Sequence, residues 1–351
     1  MVGVGSEMVF ISIGARVEVN VEALNAVETV GNVTKHRRAP IVVPLEGGYR
    51  LVYVPAVSGE SIANAYQRNL VNAAKLVYEK DGLKAPLTPW DERYEFVKFM
   101  DKQHLTGKLL EIVASKEEDL ALKKHMFEKE AIVESIVADV GGFLYAEEEM
   151  PVKRTSRLQV GYMVPVFDAL ENVAIEAQFH ARHVPSETGA RGKKPAQMIY
   201  YVEVASAVYG LTVNLDTSSV GKTSLVKVED AVDADERKRR VKAALLALAG
   251  LFAGEGFGAK LSRFLPIKRV VSMVATLSDP IAFVVSPPQI PEYIVDTCNR
   301  VSSIKKIFEN MGLKAEVEIL AYGKELPEIV ERAGSVEELL AKLIDKVMRK
   351  L

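Results

Sequence analysis

From Val9 to Val21 every odd position is apolar: Val9, Ile11, Ile13, Ala15, Val17, Val19 and Val21. The even positions include Ser12, Gly14, Arg16, Glu18 and Asn20. A period of two cannot form a helical stripe. It predicts a strand with one face on a core and the other presented to solvent or to a ligand. Alternation returns at Leu158, Val160, Tyr162, Val164 and Val166, then at Val173, Ile175, Ala177, Phe179 and Ala181, with Glu176, Gln178, His180 and Arg182 opposite. A β-rich run from Met198 to Leu215 and a strand over about 269–278 complete the set.

Helical spacing separates these strands. Ser58 is a plausible N-cap, Glu60 suits a first turn, and Ile62, Tyr66, Leu70, Ala73 and Val77 recur on one face. A second amphipathic helix covers about 235–253 (Val241, Leu245, Leu248, Phe252), with Arg237–Arg240 and Lys242 turned to solvent. Pro86 and Pro89 interrupt the pattern, and about 90–130 reads as a charged helical insertion. Its Lys116–Glu130 stretch reads as a solvated helix face. The tail after Pro291 is expected to be largely helical.

Without insertion and tail, the order is strand, helix, several strands, helix, strand. That is the split βαβ order of ferredoxin-like folds, of which RNA-recognition domains are one use. The expected class is α+β, with an antiparallel sheet core made discontinuously from 1–88 and 131–280. A helical insertion spans 89–130 and a mostly helical extension spans 281–351.

Composition removes several function classes. A formal charge of −2 on 351 residues excludes a polycation that coats nucleic acid indiscriminately, so any phosphate-binding surface must be local. Cys298 is the only cysteine, which excludes an internal disulfide and a cysteine-cluster metal site. No apolar run approaches the ~20 residues of a membrane span, and no secretory signal is read at the N-terminus. A cytoplasmic protein without cofactor or metal is expected.

The cations are concentrated at Lys35–Arg38, Lys153–Arg157, Arg182–Lys194 and Lys260–Arg269. Asn32, Lys35, His36 and Arg37 fall in what reads as a loop after the first strand, which offers amide and cationic donors to phosphate and ribose oxygens. Lys153, Arg154 and Arg157 lead into a strand, behind Gly141–Gly142, which would allow a bend or a close approach of the main chain to a ligand. His180 shares a polar strand face with Gln178 and Arg182. It could bind RNA, fill a structural place, or act as a general base. Ser186–Pro195 reads as a mobile basic loop. A solvated charged loop is the competing reading for each cluster taken singly. Asp139 is the acid to watch, with a buried turn-capping role as the plainer account.

Two phosphate-loop look-alikes fail. Asp216 occupies the place where a glycine should precede Gly221–Lys222–Thr223, and Ala259 stands where a glycine should precede Lys260. The glycine-rich run before Lys260 instead reads as a helix stop leading into a basic contact.

The stretches LNAVETVGNVTKHRRAP, VSGESIANAYQRNLV, DVGGFLYAEEEMPVKRTSRLQVGYMVPV, EAQFHARH and AQMIYYVEVASAVYGL occur together and in order. Together they resemble the archaeal type I-A CRISPR backbone subunit, the DevR-type autoregulator family. The resemblance covers most of the chain and is weakest in the helical insertion and after about 280. It implies a modified RNA-recognition (RRM) fold with insertions, whose copies stack head-to-tail along a guide RNA (crRNA) and present it to target DNA.

It also implies the company of end-capping, large and small subunits, a repeat-processing nuclease and a helicase–nuclease. Guide-RNA contacts carry over to Asn32, Lys35, His36, Arg37, Lys153, Arg154, Arg157 and His180, to which Ser58, Arg68 and Lys260 are added. The usual aromatic ladder of simpler RNA-recognition domains is missing, so backbone grip is expected to outweigh stacking. Two rival functions remain: an endoribonuclease using His180 or His36, and a regulator that binds duplex DNA.

Overall fold

A computed structural model describes residues 9–183, 197–254 and 258–351; the Ser186–Pro195 loop lies outside them. The chain opens with β1 (Phe10–Glu22), then two hairpins, β2 (Ala26–Val30) with β3 (Val33–His36) and β4 (Arg38–Leu45) with β5 (Gly48–Pro55). Helix α1 (Gly59–Lys80) follows. Next come α2 (Pro89–Glu92), α3 (Gly107–Ala114), α4 (Leu120–Glu134) and α5 (Ile136–Gly141). Short strands β6 (Phe143–Tyr145), β7 (Val152–Arg154), β8 (Leu158–Val160) and β9 (Val164–Pro165) precede the long pair β10 (Ala174–His183) and β11 (Gln197–Asp216). The rest is α6 (Ala234–Ala253), β12 (Ile267–Asp279), α7 (Tyr293–Asn310), β13 (Glu316–Tyr322), β14 (Glu331–Arg332) and α8 (Val336–Lys350).

The class is α+β, as expected. The main sheet runs β14-β13-β12-β1-β11. The far edge of β11 takes β8, β9 and β10 at successive points. Strand β1 lies antiparallel between β11 and β12, which is the central order of a split βαβ unit. Beyond the end of β1, β3 joins β11 in parallel at Tyr201–Val202, so the sheet is mixed rather than purely antiparallel.

The odd positions of β1 are buried as the alternation requires, under α1, α6 and α8. Tyr66 of α1 donates to the carbonyl of Ala244 in α6 at 3.0 Å, fixing the crossing of the two helices. At the start of α1, Gly59 lies so close to β8 that a Cβ would sit 2.5 Å from the Val160 oxygen.

The even positions of β1 are not presented to solvent in its first half. Ser12 is buried and its Oγ accepts from Val285 N–H at 3.1 Å, while a Cβ on Gly14 would meet Val285 at 3.0 Å. Arg16 donates to the Pro288 and Ile290 carbonyls and pairs with Asp168. The segment after β12 and helix α7 thus cover this face with a second apolar cluster that includes Phe283, Val285, Tyr293 and Val317. The 281–351 segment is therefore more than helix, because β13 and β14 extend the sheet. Glu331 and Glu338 pair with Lys342 and Lys346 of α8.

The alternation breaks at Val21. A register shift between Val19 and Glu22 leaves Val21 at φ 54 and exposed, and turns Glu22 inward. The insertion also departs from a solvated helix face. Phe127, Ala131 and Glu128 of α4 are buried, packed with Phe99, Leu109, Phe143 and Tyr145 around a third core.

Candidate nucleic-acid interface

A polar cleft of about 630 Å³ opens where the turn after β1, the first turns of α1 and the segment after α6 meet. Its lining includes Asn25, Arg37, Ser58, Glu60, Ser61, Asn64, Arg68, Asn69, Asn72, Gly258, Ala259 and Leu261. Ser61, Asn64, Arg68 and Asn72 recur every three or four residues, so one helix face carries them as a row. Short amides disfavour helix interiors, and three of them on one face of α1 are the signal that could have pointed to this row in advance. Arg68 lies over the Tyr94 ring at 5.1 Å, and Tyr94 donates to Asn72 Oδ1 at 2.8 Å, tying the row to the insertion.

Of the expected site residues, the cleft brings together Arg37, Ser58 and Arg68. Ser58 itself is buried, and its hydroxyl caps α1 by accepting from Ser61 N–H at 3.3 Å. Its own N–H donates to Asn25 Oδ1 at 2.7 Å. Arg37 is half-buried, with Tyr162 Oη the described side-chain neighbour of its guanidinium at 3.5 Å. Lys260 is exposed at φ 59 in the turn beside Ala259, whose N–H donates to the Leu24 carbonyl at 2.8 Å, so it stands at the rim.

A second group flanks β11. Residues 26–36 form a hairpin rather than the expected loop, with Gly31 (φ 62) and Asn32 as its two-residue turn. Asn32 is exposed and its carbonyl accepts from Tyr201 N–H at 2.8 Å, while Lys35 is exposed on β3. On the other edge of β11, His180 stacks on Tyr200 (5.2 Å, 20°) and meets Phe264 edge-on at 5.4 Å. Arg263 donates to Tyr200 Oη at 2.7 Å, and Phe179 packs against Tyr201. Aromatic surface is therefore more abundant here than the missing ladder suggested.

Two expected contacts are internal. His36 is buried, with Nε2 2.7 Å from Glu22 and Nδ1 2.8 Å from the Arg37 carbonyl. Burial opposes its charge, yet Glu22, the Arg37 carbonyl and Glu203 outweigh that and hold its pKa above the ordinary 6.5. The bulge at Val21 creates this pair by turning Glu22 inward, where it also accepts from Tyr209 Oη at 2.7 Å.

Arg154 is likewise buried, against the expectation that it grips a ligand. Its guanidinium pairs with Asp139 and Glu128 and donates to the Asp139, Ser219 and Lys222 carbonyls. Asp139 also pairs with Arg240 at 3.0 Å and accepts from the Gly221 N–H, which binds the first phosphate-loop look-alike into the interior. Gly142, at φ 68, lets the main chain approach residues 154–156 rather than a ligand, since a Cβ would meet the Arg154 oxygen at 2.5 Å. Lys153 is exposed and Arg157 is half-buried with Ser224 as partner, and neither lines the cleft.

Among the described residues no group of His, Cys, Asp and Glu is arranged to hold a metal ion. In the same residues, no helix is long and apolar enough to cross a membrane.

An α+β chain with a mixed ten-stranded sheet and a donor-lined cleft is the class that fold and site define. A chain of a solved CRISPR RNA-guided surveillance complex in a pre-nicking state shares the fold, with a TM-score of 0.51 at 12% identity over 96% of this chain and 99% of that one. The family of the CRISPR-associated negative auto-regulator DevR/Csa2 matches residues 13–298, and the chain belongs to it. It is 40% identical to the CRISPR-associated aCascade subunit Cas7/Csa2 2 of Saccharolobus solfataricus over 95% of this chain and 99% of that relative. It is also 28% identical to a Cas7/Cst2/DevR protein of Methanocaldococcus jannaschii over 96% of this chain and all of that relative.

Proposed function

We propose that the chain is a non-catalytic backbone subunit of a type I CRISPR surveillance complex. Copies line up along the spacer of a guide RNA and present it for pairing with target DNA in antiviral defence. The observation that carries this reading is the row Ser61–Asn64–Arg68–Asn72 beside Arg37, in a cleft open to solvent. Amides, hydroxyls and guanidinium groups grip phosphate and ribose oxygens without reading bases, as a subunit that accepts any spacer requires. A relative named as an aCascade subunit supports the same reading.

Asn32, Lys35 and His180 are assigned as further contacts along β11, with Lys153, Arg157 and Lys260 at the periphery. The partners are guide RNA, target DNA held through it, neighbouring copies, and the end-capping, large, small, repeat-processing and helicase–nuclease components of a cytoplasmic complex. A nuclease role is poorly served by the histidines. His36 is sealed against Glu22, and His180 is packed between aromatic rings.

The test is purification at moderate salt. Protein eluting as a large species rich in 260 nm absorbance should shrink and lose that absorbance after ribonuclease and high salt. With about four phosphates per copy, affinity should fall with salt at a log–log slope of roughly −3. Failure to bind single-stranded RNA of any length at low salt overturns the reading.

A further inference from the structure

The hairpin β4/β5 stands apart from the main sheet as a two-stranded unit. Its inner face packs through Ala39, Ile41, Val52 and Val54 on Val164 and Leu170. Beyond the Arg38–Pro55 pair at its base, its outer face consists of three directly opposed pairs, Pro40 with Tyr53, Val42 with Leu51 and Pro44 with Tyr49. All six are exposed, with Tyr49 at 80%, Tyr53 at 69%, and Leu51 and Val42 each at 58%. An isolated hairpin is marginal in water, and an uncharged ladder of this kind marks a contact surface.

The two outer edges differ. The two-residue turn Glu46–Gly47 makes Leu45 with Gly48 the closing hydrogen-bonded pair, so Pro44/Tyr49, Val42/Leu51 and Pro40/Tyr53 are the pairs whose main-chain groups point outward. On β4, two of those three positions are prolines with no N–H to offer, a device that blocks an edge. On β5, Tyr49, Leu51 and Tyr53 all keep outward N–H and C=O groups, and no hydrogen bond to them occurs among the described residues.

The order Tyr49–Arg50–Leu51–Val52–Tyr53 is palindromic in its outward positions. Antiparallel pairing of β5 with a second β5, centred on Leu51, sets Tyr49 opposite Tyr53 of the other copy and Leu51 opposite Leu51. Each opposed pair exchanges two main-chain hydrogen bonds. The Arg50 side chains fall opposite Val52, so the like charges do not face each other.

We infer that the open edge of β5 is a self-complementary docking surface for a second copy of this chain, joining two hairpins into one four-stranded ribbon across a two-fold axis. Such an isologous contact differs from head-to-tail stacking and does not depend on RNA, so it stands or falls separately from the function proposed above.

The test uses the full chain, freed of nucleic acid, in sedimentation or light scattering over a wide concentration range. Wild type should show a reversible monomer–dimer equilibrium. Leu51→Pro removes an outward N–H without breaking the hairpin's own bonds, and should weaken the dimer about tenfold or more. Val42→Pro makes the same change on the blocked edge and should leave it unaltered. Leu51→Cys should oxidise to a covalent dimer, because opposed residues lie within disulfide reach and Cys298 is buried. Tyr49→Cys alone should not. A wild type monomeric at every concentration, a Leu51→Pro variant that pairs normally, or cross-linking by Tyr49→Cys equal to that of Leu51→Cys would overturn the inference. Should Leu51→Pro unfold, the two cysteine variants decide.

Discussion

Two cation-bearing regions, the cleft along α1 and the cluster around Arg154, look alike as strings of residues and do opposite things. Arg68 reaches over Tyr94 into open space, with Arg37 half-exposed nearby. Arg154 and Arg240 share Asp139 in the interior and clamp α5, β7, α6 and the 218–225 turn to one another. The difference lies in the acids. Asp139 and Glu128 are buried and draw their partners inward, whereas the α1 row shares an open cleft with the exposed Glu60 and with amides and hydroxyls.

The sharpest way to break this contrast is Arg154→Ala. Removing one partner from a buried charge network strands the others, so a loss of about 3–5 kcal/mol is expected in denaturant unfolding. The RNA affinity of the fraction that remains folded should not change. A large loss of affinity with unaltered stability would mean that the cluster is wrongly placed on the structural side.

The converse change is Arg37→Ala with Arg68→Ala. Stability should move by less than about 1 kcal/mol, the loss of one exposed cation–π contact. RNA binding should weaken about tenfold or more, and the salt slope should flatten by roughly 1.4, two contacts at about 0.7 each. Filter binding at several salt concentrations measures both.

The smallest effect belongs to His36, a titratable group beside Arg37 that sides with the interior. Its folded pKa is raised, so the stabilisation it shares with Glu22 is complete below the ordinary 6.5 and is lost as pH rises through the raised value. The stability gap between wild type and His36→Gln should therefore narrow with rising pH. A gap that widens with pH would show that His36 is neutral in the fold.

Much of the frame was legible. The odd positions of β1, the Ser58 cap and the apolar faces of α1 and α6 follow from spacing alone, because local periodicity and burial agree there. What stayed hidden depends on contacts between distant segments. Nothing near Val21 announces a bulge that sends Glu22 towards His36. Ser12 and Arg16 look like an open face until residues 285–290 close over them. Residues 32–37 read as a loop because Gly31 is a chain breaker by habit, although here it marks the turn between β2 and β3.

Pro40 and Pro44 also impose a stopping rule. Once two copies have joined, each flank of the ribbon ends in a proline-studded margin that cannot template a third chain. Association at this place is therefore finite, and an exposed aromatic hairpin escapes the runaway fibre growth that such surfaces otherwise invite.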